Sequence, residues 1–156
     1  MFLTASEIRA KFNIQQNGFA SQLPAAMEIA GLYIREAVEA DVYAEADGGD
    51  LATTHANYIR QRKVVQSQAY LAWYFLLKDA GNALSDKGVI KQFQAGSSPA
   101  TQSVHMNQVL TPAELEAMKQ SALESAKMLL SDYGTILIEE VLESDYESLI
   151  TTTPYF

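Results

Sequence analysis

One stretch decides how this chain folds: Asn57–Gly81, NYIRQRKVVQSQAYLAWYFLLKDAG, which holds the only tryptophan and the longest unbroken helical pattern. Val65, Ala69, Ala72, Trp73, Leu76 and Ala80 follow the i, i+3, i+4, i+7 spacing of a helix face, and Val64, Leu71, Phe75 and Leu77 widen that stripe. The second half is therefore apolar nearly all round and has to be covered on several sides, which predicts a central helix. Trp73, Tyr74 and Phe75 read as packed core rather than as a ligand-stacking platform. The first half differs. Arg60, Arg62 and Lys63 stand among Asn57, Gln61, Gln66 and Gln68, a pattern that predicts a surface open to water or to a negatively charged partner. Arg60 and Lys63, three residues apart, are placed to grip carboxylates of another chain.

Toward the N-terminus, Thr4-Ala-Ser-Glu7 has capping-box spacing and starts a short helix whose narrow apolar edge is Ile8 and Phe12, an appendage to a larger body. Asn17-Gly18 is expected to turn the chain. Pro24 suits the first turn of a second helix, where its missing donor costs nothing. Leu23, Met27, Ala30, Ile34, Val38 and Val42 then predict one continuous helix with a wet acidic face, stopped at Asp47-Gly48-Gly49-Asp50.

Toward the C-terminus, Gly81-Asn82 closes the central helix and the periodicity changes. Residues 87–110 read as a long hairpin or extended loop, with short runs on either side of Gly96-Ser97-Ser98-Pro99. A connection of that length in a compact domain implies a use. Thr111-Pro112-Ala113-Glu114 combines a cap, a proline at the first helical position and a glutamate in capping register, so another helix begins there. Its expected stripe is Leu115, Met118, Ala122, Ala126, Leu129 and Tyr133, with Gly134 as its stop. Residues 136–156 are expected to form a C-terminal arm, acidic and then aromatic. The expected fold class is all-α: a single domain, a bundle of about four helices with a hairpin-like excursion and an extended arm.

At 156 residues one domain can bury on the order of 70% of its unfolded surface, so no staple is needed. The chain has no cysteine, which excludes disulfide frameworks and zinc–thiolate sites. The opening MFLTASEIRAKFNI lacks the pattern of a signal peptide and no apolar run approaches the ~20 residues of a membrane span, so a soluble, unexported protein is expected. A net charge of −8 argues against general nucleic-acid binding. The charge is also uneven: residues 57–91 carry six basic side chains against two acidic ones, while residues 134–156 carry five acidic and none basic. Complementary surfaces of this kind suit self-association or a charged partner.

Catalytic readings fail on missing parts. The two histidines, His55 and His105, lie outside any HExxH or Glu-x-x-His pattern. There is no GxSxG elbow, no GxxxxGK[ST] loop and no GxGxxG turn. No catalytic, cofactor-binding or metal-ligating residue is assigned, no cofactor is expected, and an enzyme is not expected. The candidate partner-binding residues are Arg60, Arg62 and Lys63 on the central helix, Val89, Ile90, Phe93, Val104 and Met106 in the excursion, and Tyr155 and Phe156 in the arm.

Three stretches taken together carry a resemblance: Leu3-Thr4-x-x-Glu7 opening a short helix, the long helix Leu23-Pro-Ala-Ala-Met-Glu-Ile-Ala-Gly-Leu-Tyr-Ile-Arg, and the aromatic-rich Ala69-Tyr-Leu-Ala-Trp-Tyr, followed by the loop Leu84-Ser-Asp-Lys-Gly-Val-Ile. In this order they resemble the head–tail connector (adaptor) proteins of tailed bacteriophages over roughly residues 2–133. The chain departs from that pattern in its 87–110 excursion and its acidic C-terminal arm. The resemblance implies a non-enzymatic virion subunit, working at the head–tail interface after assembly in the host cytoplasm. It implies a homo-oligomeric ring, dodecameric as in such connectors, with the portal protein on one side and a tail or second connector protein on the other. DNA would pass through that ring without sequence-specific recognition. The alternative from the residues alone is a stand-alone helical interaction module of a bacterial cell, a regulator or chaperone-like adaptor.

Overall fold

The computed structural model describes residues 1–15, 17–82 and 111–138. Among them lie five helices and no strand: α1 Ala5–Lys11, α2 Asn17–Ala37, α3 Ala40–Asp47, α4 Tyr58–Asn82 and α5 Pro112–Leu130. The described protein is all-α. α2 and α5 both pack along α4, and α3 leans on it through side chains near its N-terminal end. α2 and α5 have no comparable contact with each other, but their C-terminal ends converge where Val38 pairs antiparallel with Gly134.

The reading of α4 as the centre holds. Every residue from Leu71 to Leu77 is buried, Trp73 at 6% exposure included. Removing each such large side chain from water contributes roughly 1.5–3 kcal/mol, so this short run anchors the bundle. Aromatic contacts tie its neighbours to it: the Phe12 ring stacks on Trp73 at 5.1 Å and 8°, Tyr70 meets the Phe12 ring edge-on at 5.3 Å, and Tyr33 of α2 lies 5.2 Å from Phe75.

α1 starts on the expected capping box, with the Glu7 amide donating to the Thr4 hydroxyl and the Thr4 amide to the Glu7 carboxylate, both at 3.2 Å. It stops sooner than the sequence suggested. Asn13 takes the left-handed conformation at φ 53°, the Ile14 amide donates back to the Arg9 carbonyl and the Asn13 amide to Ala10. That is a Schellman stop, with asparagine in the place glycine usually takes. The expected turn at Asn17-Gly18 is corrected accordingly: α2 already begins at Asn17. Within α1 only Ile8 is buried, the narrow apolar edge expected of it, and Ile14 just beyond the stop is buried as well.

Two further expectations for the second helix are corrected. Pro24 lies inside α2, not in its first turn. It is exposed, and the donor it lacks would have met the Ala20 carbonyl. The helix is also interrupted at Val38-Glu39: Glu39 is extended (φ −65°, ψ 153°) and α3 sets off afresh at Ala40. No proline or glycine sits at the break. Val38 leaves the helix to pair with Gly134, while Val38, Val42 and Ala46 all remain buried. The glycine is required by the closeness of this approach, because a Cβ at position 134 would lie 1.9 Å from the Ala37 carbonyl oxygen.

α5 starts as expected, with the Thr111 hydroxyl accepting from the Glu114 amide at 3.1 Å and Pro112 in the first turn. Its buried stripe is Leu115, Ala122, Leu123, Ala126 and Leu130. Leu129 and Tyr133, expected there, are only partly buried. The helix ends at Leu130, whose carbonyl accepts from both the Tyr133 and Gly134 amides as the chain turns toward Val38. Ile136 is buried and Ile138 packs against the core, so residues 136–138 belong to the body and not to an arm. The expected hairpin at 87–110 and the rest of the arm, 139–156, lie outside the described residues. No helix among those described is long and apolar enough to cross a membrane.

Candidate interaction surface

The basic head of α4 is engaged within the chain. Arg60 makes a two-point contact with Glu45 of α3, Nε to Oε1 at 3.1 Å and Nη2 to Oε2 at 2.8 Å, and the Asn57 amide adds a third hydrogen bond at 3.1 Å. The planar guanidinium matches both carboxylate oxygens, the strong form of this contact. The Arg60 hydrogen bond, helped by its charge and by Asn57, holds the Glu45 carboxyl below the usual carboxylate range against the opposing effect of burial. The same hydrogen bond with Glu45 raises Arg60 further above its already high value. Lys63 reaches Asp132 beyond α5 at 3.7 Å, in an exposed pair of little energetic weight. Arg60 and Lys63 do grip carboxylates, but of their own chain. Arg62, half-buried, has no ion pair among the described residues.

The glutamines that suggested a wet surface are also largely inside. Gln61 is 1% exposed. Its amide nitrogen donates to the carbonyls of Glu45 at 2.8 Å and Gly49 at 3.0 Å, and its oxygen accepts from the Leu51 amide at 2.9 Å. This one side chain closes the end of α3 and fixes the chain leading back to α4, supplying partners that the backbone there lacks. Ser67 is fully buried and donates to the Ala126 carbonyl of α5 at 2.8 Å; Gln68 donates to the Met27 carbonyl of α2 at 3.3 Å. A polar line along α4 thus fastens α3, α2 and α5 in turn. A lone glutamine in a helix looks the same in sequence whether it caps a neighbour or faces water, so only the capping need at Gly48-Gly49 could have signalled this role. His55, exposed, accepts the Asn57 amide on Nδ1 and helps shape the approach to α4.

Three grooves with apolar lining side chains open to the outside. A groove of about 490 Å³ between α1 and α5 is lined by Phe12, Tyr70, Trp73 and Met118, with Lys11 Nζ 4.9 Å from the Tyr70 ring centre. A second, of about 430 Å³, runs along α2 beside Pro24, Met27, Gly31 and Leu32, walled by Phe2 and Tyr43. A third, of about 460 Å³, lies by Lys127, Ser131 and Ile136 to Ile138. Among the described residues, Leu32, Ile59, Met128 and Leu137 are the most exposed large apolar side chains beyond Met1, at 57%, 58%, 71% and 79%. The remaining candidate residues, Val89, Ile90, Phe93, Val104, Met106, Tyr155 and Phe156, lie outside the described residues. Among those described, no group of three or more His, Asp or Glu gathers as a metal site would.

In class, the described residues form an all-α body whose central-helix polar groups are largely spent on their own neighbours and whose surface carries three grooves. Comparison with protein-family models, curated proteins and solved structures finds no match.

Proposed function

We propose that the chain is a structural subunit of a tailed-bacteriophage virion, a head–tail connector that assembles as a ring on the portal and bridges it to the next tail component. The observation that carries this reading is the order and size of the elements: a capped short α1, a 21-residue α2 and a 25-residue α4 with its aromatic run in the buried half. Of the stretches behind the resemblance, Thr4 to Glu7 caps and opens α1 and Leu23 to Arg35 and Ala69 to Tyr74 fall in α2 and α4, while Leu84 to Ile90 lies outside the described residues. On this reading the helices hold the subunit together. Residues 87–110, as a hairpin, and the arm, here reduced to residues 139–156, hold its partners. Val89, Ile90, Phe93, Val104 and Met106 in the one and Tyr155 and Phe156 in the other enter apolar pockets on neighbouring chains, where extended backbone finds hydrogen-bond partners. The work is assembly rather than catalysis, and DNA passes the ring without being read.

Two truncations test it: replacing residues 89–108 with a short Gly/Ser linker, and removing residues 151–156. Sedimentation velocity of each variant with purified portal should show a subunit that keeps the parent's helicity and melting temperature but no longer co-sediments. Unfolding of either variant, or undiminished portal binding by both, contradicts the proposal.

A further inference from the structure

Helices α2 and α3 are separate in the body, although the residues that join them are those of one helix. Glu36-Ala-Val-Glu-Ala-Asp41 contains no proline, glycine or serine, the residues at which helices ordinarily bend sharply, and its alanines and glutamates are good helix formers. Val38, Val42 and Ala46 continue the apolar spacing of α2, and all three are buried. The fresh start is weakly marked: Glu39 stands at the cap position of α3 and its side chain makes no capping hydrogen bond, in a place that serine, threonine, aspartate or asparagine usually fills. What opens the chain here comes from elsewhere, the backbone of Gly134 lying against Ala37 and Val38.

Tyr43 of α3 lines one groove with Met27 and Glu28 of α2, so α3 is folded back beside α2. In a single straight helix, Glu28 and Tyr43 would stand about 22 Å apart at 1.5 Å per residue, and the two helices could no longer share one body. α3 is held in place by Glu45, which binds Arg60 through its carboxylate and Gln61 through its carbonyl. α2 would therefore be the part that swings out. Its face of Leu23, Ala26, Ala30 and Ile34 is buried, and the surface shaped to bury it again is the same surface on a second copy. Phe12 on Trp73 at 5.1 Å, Tyr33 with Phe75 at 5.2 Å, Phe2 with Tyr43 at 5.4 Å and the Gln68 amide on the Met27 carbonyl at 3.3 Å all cross from residues 1–37 to the rest of the body. Each can form between two chains as it does within one, so the two arrangements differ only around Val38-Glu39 and its pairing with Gly134.

We propose that residues 1–37 are an exchangeable unit. With Val38-Glu39 straightened into one helix, α1 and α2 of one copy pack on α4 of a second copy, whose own α1 and α2 return the contact, and Gly134 is the residue that keeps the chain in the closed, unexchanged form. Reciprocal exchange of this kind closes on two copies.

The absence of cysteine lets a pair of thiols report which chain α1 sits on. Lys11→Cys and Ser121→Cys place them at exposed positions in the groove between α1 and α5. A short bismaleimide then links them within one chain in the closed form and between two chains in the exchanged form, where a covalent dimer survives denaturation. On this background Gly134→Ala should raise the dimer-to-monomer ratio in sedimentation velocity at least ten-fold over the parent, with the cross-link between chains. Adding Glu39→Pro should return a monomer linked within the chain, because proline fits the φ of −65° that Glu39 has in the closed form and breaks a helix that runs through it. If Gly134→Ala does not fold, the parent pair refolded from urea at high protein concentration decides, and a dimer with interchain cross-links is the expected product. A Gly134→Ala chain that stays monomeric at every concentration, a dimer cross-linked only within each chain, a dimer indifferent to Glu39→Pro, or in the refolding arm no interchain product, overturns the exchange.

Discussion

Gly134→Ala adds one methyl group at the point where the ends of α2 and α5 meet, and it should be among the most damaging single substitutions in the body. The new Cβ would lie 1.9 Å from the Ala37 carbonyl oxygen, 2.7 Å from its carbon and 3.2 Å from Val38 Cγ1. The first two neighbours are backbone and cannot rotate away, so the two segments must separate and the Val38–Gly134 pairing must open. Overpacking costs about 1–3 kcal/mol, and because the clash here is with backbone that cannot rotate away, the upper end, about 3 kcal/mol, is expected. In a domain of this size that corresponds to a fall of roughly 6–12 °C in Tm, at about 2–4 °C per kcal/mol. Circular dichroism at the helix band against temperature, with urea titration to check that the slope is unchanged, reads it directly. Gly31→Ala is the internal control: the same change where a Cβ meets nothing should hold or raise stability by up to about 1 kcal/mol. A Gly134→Ala variant within about 0.5 kcal/mol of the parent, the range of ordinary surface substitutions, would refute the closeness of the two chain segments.

Trp73→Ala should cost about 3–5 kcal/mol, read by urea denaturation; a smaller loss would mean that Phe12 and Tyr70 do not enclose that ring. Gln61→Ala leaves the Glu45 and Gly49 carbonyls and the Leu51 amide without their partner and should cost about 2–4 kcal/mol after water recovers part of the loss. Near-neutral behaviour would show the α3–α4 connection to be held some other way. Glu45 has a folded-state pKa below its reference value of 4.5, so its contribution is fully present above that value and is lost as pH falls through the folded-state pKa. The unfolding free energy should therefore drop on acidification below about pH 4.5, and Glu45→Gln should lessen the drop; an identical pH profile in the two proteins would contradict the Arg60 pairing as its source.

Much of the fold is legible in the sequence because its signals are local. Thr4 with Glu7, and Thr111 with Pro112 and Glu114, are caps satisfied within a single turn, and the run Leu71 to Leu77 is apolar on every face, so burial is its only outcome in water. The break at Val38-Glu39 is of another kind. Val38, Val42 and Ala46 keep four-residue spacing straight through it, so the pattern is that of an unbroken helix, and the cause is Gly134, distant along the chain. The candidate surface suffers from the same distance. Arg60 stands fifteen residues from Glu45 and Lys63 far from Asp132 in the chain; a basic cluster on a helix is written identically whether its partners belong to the same body or to another. The open grooves were not legible at all, because each is bounded by side chains from two or more elements and exists only once those are packed.

The connector account rests most directly on what the chain assembles into. Electron micrographs of the purified protein, alone and mixed with portal, give the shortest test. The account predicts closed rings of rotationally repeated subunits seated coaxially on the portal, with the helical body unchanged in secondary structure. A protein that stays monomeric both alone and with portal, with no added density at the portal vertex, would contradict it.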